Sequence, residues 1–196
     1  MYKVFINDSS LSFLSKPTKG AVPFEGVEQL RSLFQHLDKA SDILHLAVYA
    51  HNLPVMWEQW QSLFQIIEAA GGVVLNPSGE VLMIYRWQKW DLPKGKLEKG
   101  EDIDTAAQRE VMEECGVPKP TVTKRLPDTY HTYEIDGQPV LKHTYWYEMR
   151  LPSKIALTPQ TEEGITQVTW CDTEALRENV ANTYGNILLL LEPYLF

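Results

Sequence analysis

The sequence predicts an α/β protein in two parts: a small α/β N-terminal module over residues 1–69 and a mixed-sheet domain over residues 70–196. Three observations carry this. Short apolar runs of strand length are bounded by turn residues, apolar residues recur elsewhere at helical spacing, and the pattern changes character at Gly71-Gly72.

Tyr2 to Ile6 alternates like a strand, and Leu11 to Leu14 is a candidate partner for it. Val27, Leu30, Leu33, Phe34 and Leu37 mark one face of a helix, and the short apolar run Ile43 to Tyr49 reads as a buried strand. Asn52 and Pro54 give a start signal for a second helix, whose apolar face is Met56, Trp60, Leu63, Phe64 and Ile67. It leads into Gly71-Gly72, the expected domain boundary. Gly72–Leu75 and Val81–Tyr85 then read as strands joined by the turn Asn76-Pro77-Ser78-Gly79. A long loop, Arg86 to Glu101, opens a helix with Asp102 as N-cap, an inward side of Ile103, Ala106, Ala107, Val111 and Cys115, and Gly116 as terminator. Asp136-Gly137 separates strands near Thr129–Glu134 and Val140–Met149; a further strand runs from Ile165 to Cys171. Glu174 to Leu191 is helical with a break near Gly185.

Composition excludes several function classes. With 196 residues, 44% apolar and 22% charged, the chain can bury a core and is neither disordered nor a repeat array. Its 18 basic against 26 acidic residues give −8, which argues against attachment to nucleic acid or anionic membrane through overall charge. Cys115 and Cys171 both lie in apolar patterns and are expected as free thiols of a reducing compartment. The start of the chain carries no apolar signal core, and Ile187 to Leu191 falls far short of the roughly 20 residues that cross a bilayer. A cytoplasmic enzyme or regulator is expected. The histidines (36, 45, 51, 131, 143) form no pair at metal-ligand spacing.

The chemistry is concentrated in GKLEKGEDIDTAAQREVMEECGV, residues 95–117. Glu110, Glu113 and Glu114 stand at i, i+3 and i+4, so three carboxylates crowd one helical face, and each like-charged pair costs a few tenths of a kcal/mol, roughly, in an isolated helix. A hard cation relieves that repulsion. Carboxylate oxygens suit magnesium, which shares its remaining positions with water and substrate phosphates, and this points to phosphate chemistry. The alternative is an acidic solvated face.

The same stretch resembles the Nudix hydrolase signature: Gly, five residues, Glu, seven residues, Arg-Glu, an aliphatic, any residue, Glu-Glu, any residue, Gly, an aliphatic. Gly95, Glu101, Arg109, Glu110, Val111, Glu113, Glu114, Gly116 and Val117 match it without gap or substitution. Chance agreement in one chain is on the order of one in a million at average residue usage. The resemblance implies a Nudix α/β/α sandwich with a mixed sheet from about Gly71 onward, leaving residues 1 to about 69 outside it. It implies magnesium-dependent hydrolysis, with manganese able to substitute, of a pyrophosphate bond in a nucleoside diphosphate linked to another group. Carried over by position, Glu110, Glu114 and the Gly95 carbonyl are expected as metal ligands. Arg109 is expected to orient the carboxylates by pairing with Glu101 or Glu110, and Glu113 to act as general base. Glu110, or a glutamate on a later loop, here Glu162 or Glu163, is the alternative base.

The residues before the signature, Trp90 to Gly95, resemble the family branches acting on dinucleoside polyphosphates and diphosphoinositol polyphosphates. Lys94 and Lys96 flank Gly95 and are expected to meet substrate phosphates, and Lys142 is a further candidate. Arg86, Trp87 and Trp90 offer either a stacking surface for a base or ordinary core. The acidic chain lacks the large basic cluster that an inositol polyphosphate calls for, so a small-molecule nucleotide is the expected substrate. RNA 5′-end removal would want a basic groove. The N-terminal module, with 5 basic and 6 acidic residues over 1–65, has no recognition helix or metal motif, and is a candidate lid, homodimer interface or protein-binding surface. A second class of function is a nucleotide sensor signalling through that module.

Overall fold

A computed structural model describes all of residues 1–196. In chain order the elements are β1 (Tyr2–Ile6), β2 (Ser9–Leu14), β3 (Val22–Pro23), α1 (Val27–Asp38), β4 (His45–Tyr49), α2 (Leu53–Gln61), β5 (Gln65–Leu75), β6 (Val81–Arg86), β7 (Lys89–Asp91), β8 (Lys94–Lys96), α3 (Ile103–Cys115), β9 (Thr121–Ile135), β10 (Gln138–Arg150), β11 (Ile165–Cys171), α4 (Thr173–Asn179) and α5 (Gly185–Leu191). No helix is long and apolar enough to cross a membrane.

Several elements differ from their sequence pattern. The second helix stops at Gln61 rather than continuing to Ile67, and β5 begins at Gln65. The apolar spacing persists past the helix because the following turn folds Phe64 back onto Trp60, with ring centroids 4.8 Å apart. Gly71-Gly72 lies within β5, where the backbone of the next loop crosses and Gly72 N–H donates to the Pro93 carbonyl at 3.1 Å. The stretch Arg86–Glu101 holds two short strands: β7 turns back on β6, and β8 pairs with β5 through Ala70 and Gly95. Near the C-terminus the helical run breaks at Thr183, which bridges to Trp90, and Gly185 starts α5.

The chain forms two compact units. The first comprises Met1–Ile67 with Thr129–His143, and the second Glu68–Asp128 with Thr144–Phe196. The sequence pattern alone places a division at residues 69/70, with 129–143 in the second part.

In the first unit β1 runs antiparallel to β2 and parallel to the end of β9, while β4 runs parallel to both β2 and β3. The β1–β2 register sets Val4 against Leu11 and Tyr2 against Phe13, so these apolar side chains share one sheet face. Leu30 and Leu37 from α1 and Met56, Trp57 and Trp60 from α2 complete the cluster.

In the second unit the strand order is β11-β6-β5-β10-β9. Both faces of the sheet are covered, and alternation along the strands sorts the side chains between them. Ala70, Val74, Leu82 and Ile84 pack with Ala106, Ala107, Val111 and Cys115 of α3. Val73, Leu75, Val81 and Met83 pack with Leu176 of α4 and Ile187, Leu190 and Leu191 of α5. The result is an α/β/α sandwich around a mixed sheet. Cys115 and Cys171 are both free and buried.

Candidate active site

The site is built where β8 meets α3, and Gly116 fixes the far end of that helix. Its φ is +66°, and a Cβ there would stand 2.7 Å from the Thr158 Cβ, so glycine satisfies both the left-handed backbone and the close approach. That approach stitches a later loop to α3: Thr158 N–H donates to the Cys115 carbonyl at 2.9 Å and Gln160 N–H to the Glu114 carbonyl at 3.2 Å. The short 3-10 turn Thr161–Glu163 follows. Burial is the main cause that raises the Glu110 carboxyl, and the like charges of Glu113 and of Glu163 on this loop add to it.

Arg109, in the middle of the helix, gathers the carboxylates. Its Nε and Nη2 donate to the two oxygens of Glu101, both at 2.9 Å, in a bidentate fork. Its Nη1 donates to Glu110 Oε1 at 2.7 Å and to Glu113 Oε2 at 3.0 Å, and Nη2 also reaches the Lys96 carbonyl at 3.1 Å. Glu101 is further fixed by Glu98 N–H at 3.2 Å. The Arg109 hydrogen bond holds the Glu101 carboxyl below the ordinary carboxylate range, and the same pair raises the guanidinium. Burial pushes Glu110 up, with Arg109 pulling in the opposite direction.

Gly95 lies directly against this network. A Cβ there would fall 2.0 Å from Glu110 Oε2, so the absence of a side chain gives the Glu110 carboxylate its place beside the β8 backbone. Three carboxylates around one guanidinium leave net negative charge next to an open backbone, a donor set suited to a hard cation. No group of three acidic, imidazole or thiol side chains is placed to hold a metal ion by itself. The fit is therefore to an ion held by one or two carboxylates and completed by water and substrate oxygens, the usual habit of magnesium.

Glu114 occupies a different setting from its neighbours. Its side chain is 2% exposed, its Oε1 accepts from Arg86 Nη1 at 3.2 Å and its Oε2 from Lys94 N–H at 2.9 Å. Burial pushes its carboxyl up to about 7, against the opposing pull of Lys94 and Arg86. Lys94, expected from sequence to meet substrate phosphates, has its ammonium buried instead on Asp91 at the end of β7. Lys96 is exposed and contributes its carbonyl to Arg109. Glu113 is half exposed and Glu163 exposed.

Two residues in this cluster escaped the sequence reading of the carboxylates: Arg86 as the buried partner of Glu114, and Asp91 as the partner of Lys94. An arginine ending the apolar strand Val81–Tyr85 was the available signal for the first.

The NUDIX domain family model matches residues 66–191. The chain is 32% identical over 87 residues to an RNA pyrophosphohydrolase of Actinobacillus pleuropneumoniae, covering 43% of this chain and 35% of that protein. It is 26% identical over 185 residues to the mRNA-decapping enzyme subunit 2 of Arabidopsis thaliana, covering 91% of this chain and 44% of that protein. The matched part thus spans about a third to under half the length of these two curated relatives. Among solved structures, the E. coli dihydroneopterin triphosphate pyrophosphohydrolase superposes with a TM-score of 0.53 at 19% identity, over 67% of this chain and 97% of that one, and so shares the fold. With a complete signature folded onto an α/β/α sandwich and a family match covering residues 66–191, the chain belongs to the Nudix family.

Proposed function

We propose that the chain is a magnesium-dependent pyrophosphohydrolase that cleaves a nucleoside diphosphate linked to another group, such as a dinucleoside polyphosphate. The observation that carries this reading is the single guanidinium of Arg109 holding Glu101, Glu110 and Glu113 together beside the side-chain-free backbone of Gly95. Glu110, Glu114 and the Gly95 carbonyl are the residues that would hold the cation. When bound, a divalent cation polarises phosphoryl oxygens and lowers the pKa of a bound water. Arg109 keeps the carboxylates in one orientation, so none has to reorganise as charge develops. Glu113 accepts the proton of the attacking water in this reading, which its partial exposure and its pairing with Arg109 support. Water oxygen bonds to phosphorus, the bridging P–O bond breaks, and the departing phosphate leaves with the electron pair.

A 5′-pyrophosphate on RNA presents the same bond, and the names of the two curated relatives favour including it as a second reading. The test is a panel of diadenosine polyphosphates, nucleoside triphosphates, sugar nucleotides and 5′-triphosphate RNA, with magnesium or manganese and products read by mass. Turnover of a small nucleotide supports the first reading and selective turnover of RNA the second. No turnover of any of them, with nucleotide binding retained, transfers the chain to the sensor class.

A further inference from the structure

Trp87 is the one tryptophan of the chain presented to solvent as an exposed large apolar side chain, at 68% exposure. It sits in the two-residue connection Trp87-Gln88 between β6 and β7, whose flanking residues Arg86 and Lys89 are paired. Both connecting residues are left-handed, with φ of +49° and +64°. A turn of this kind favours Asn-Gly, and a bulky indole there is strained. Strain persists only where the surrounding structure enforces it. Here it does: Asn182 Nδ2 donates to the Gln88 carbonyl at 2.8 Å, and Thr183 Oγ1 donates to the Trp90 carbonyl at 2.7 Å.

The presented indole is next to the catalytic cluster. The Arg86 guanidinium lies 4.3 Å from the Trp87 ring centroid, and the same guanidinium holds the Glu114 carboxylate. Arg86 is buried, and its Nε has no hydrogen-bond partner. The indole Nε1 edge faces Gly164, directly after Glu163, where an added Cβ would stand 3.1 Å away. One ring face therefore rests on a cation fixed to the active-site carboxylates, and most of the ring remains open to solvent. An apolar core has no use for such an arrangement, whereas a flat π-face held rigidly beside a phosphate-processing centre suits a purine or pyrimidine, since every base offers a π-face.

We propose that Trp87 is the platform on which the nucleobase of the substrate stacks, backed by the Arg86 guanidinium. The inference rests on the nucleotide reading above and deepens it: recognition of the base is by stacking, so it requires a base and tolerates which one. The test uses the full chain as wild type, Trp87→Ala and Trp87→Phe. Calorimetric titration compares AMP with ribose 5-phosphate, which differ only in the base. Wild type is expected to prefer AMP by about 5- to 150-fold, the range of one aromatic–base stack, with Trp87→Ala reducing the ratio to about one and Trp87→Phe keeping most of it. On a hydrolysed nucleotide the loss in Trp87→Ala appears in KM rather than kcat. A Trp87→Ala protein that keeps the wild-type preference for AMP overturns the inference, as does a wild type that binds both compounds equally. A wild type that loses its AMP preference on Trp87→Ala yet turns over nothing on the substrate panel upholds the stacking platform and overturns only the hydrolase reading.

Discussion

Replacing Arg109 measures what organises the site. The side chain is 23% exposed and makes a bidentate pair with Glu101, which is 13% exposed, a pair with Glu110 at the same exposure, and a pair with the half-exposed Glu113. Charge-assisted hydrogen bonds contribute about 1.5–3 kcal/mol each at sheltered positions, and an exposed pair such as Glu113 well under about 1 kcal/mol. These contributions are not additive, because Glu101, Glu110 and Glu113 share one donor group, and each carboxylate can rehydrate in part once it is released. Arg109→Ala is therefore expected to destabilise the protein by about 3 kcal/mol, or roughly 6–12 °C in Tm for a chain of this size. Arg109→Lys keeps the charge and loses the fork, and should recover less than half of that difference. Urea denaturation at low and high salt supplies the assay. Saturating manganese should restore more stability to Arg109→Ala than it adds to wild type, since the cation then replaces the missing positive charge among the glutamates. A change below about 0.5 kcal/mol for Arg109→Ala would place the residue among ordinary surface pairs and refute the organising role.

Gly95→Ala sets a methyl group 2.0 Å from Glu110 Oε2 and must displace that carboxylate, so turnover should fall at least about 100-fold while circular dichroism stays that of the wild type. Glu110→Gln and Glu114→Gln should weaken metal binding and regain part of the rate at high magnesium, whereas Glu113→Gln should lose about 100- to 10,000-fold in kcat that no amount of metal restores. If Glu163→Gln shows that metal-insensitive loss instead, the base lies on the loop stitched to α3. Glu114 has a folded pKa raised to about 7, so with metal chelated its contribution is fully present below the ordinary carboxylate value and is lost as pH rises through about 7. The difference in Tm between wild type and Glu114→Gln should accordingly shift against wild type from pH 5 to pH 8, and a flat difference would show that Glu114 titrates normally. A chain beginning at residue 70 keeps every signature residue but lacks β1, whose Val4, Phe5 and Ile6 pair with Tyr130, His131 and Thr132; it is expected to retain hydrolysis and to aggregate through that uncovered edge, as read by light scattering.

The sequence alone determined the family and the elements that carry it. The nine matched positions over residues 95–117 carried the resemblance to the family, and the apolar spacing of Ile103, Ala106, Ala107, Val111 and Cys115, closed by Gly116, located the helix itself. The same local physics located β1, α1, β6 and β11, whose periodicity or flanking turn residues are written within the element itself. Where apolar spacing came from contacts between separate segments, the local pattern misled: Phe64 looks like one more helical turn after Trp60, yet reaches it across a bend. Partners were likewise beyond the sequence. Lys94 and Lys96 look alike beside Gly95, and only the fold shows that one is buried with its ammonium on Asp91 of β7 while the other stays at the surface. Glu114 reads as an equal of Glu110 and Glu113 on the helix, but its buried pairing with Arg86 depends on a strand that lies 28 residues earlier. The assignment of 129–143 to the first unit depends on the pairing of Tyr130 with Val4. Helical and strand periodicity are properties of neighbouring residues, whereas burial, ion pairing and strand neighbours are set by which distant segments meet, and that is decided only when the whole chain packs.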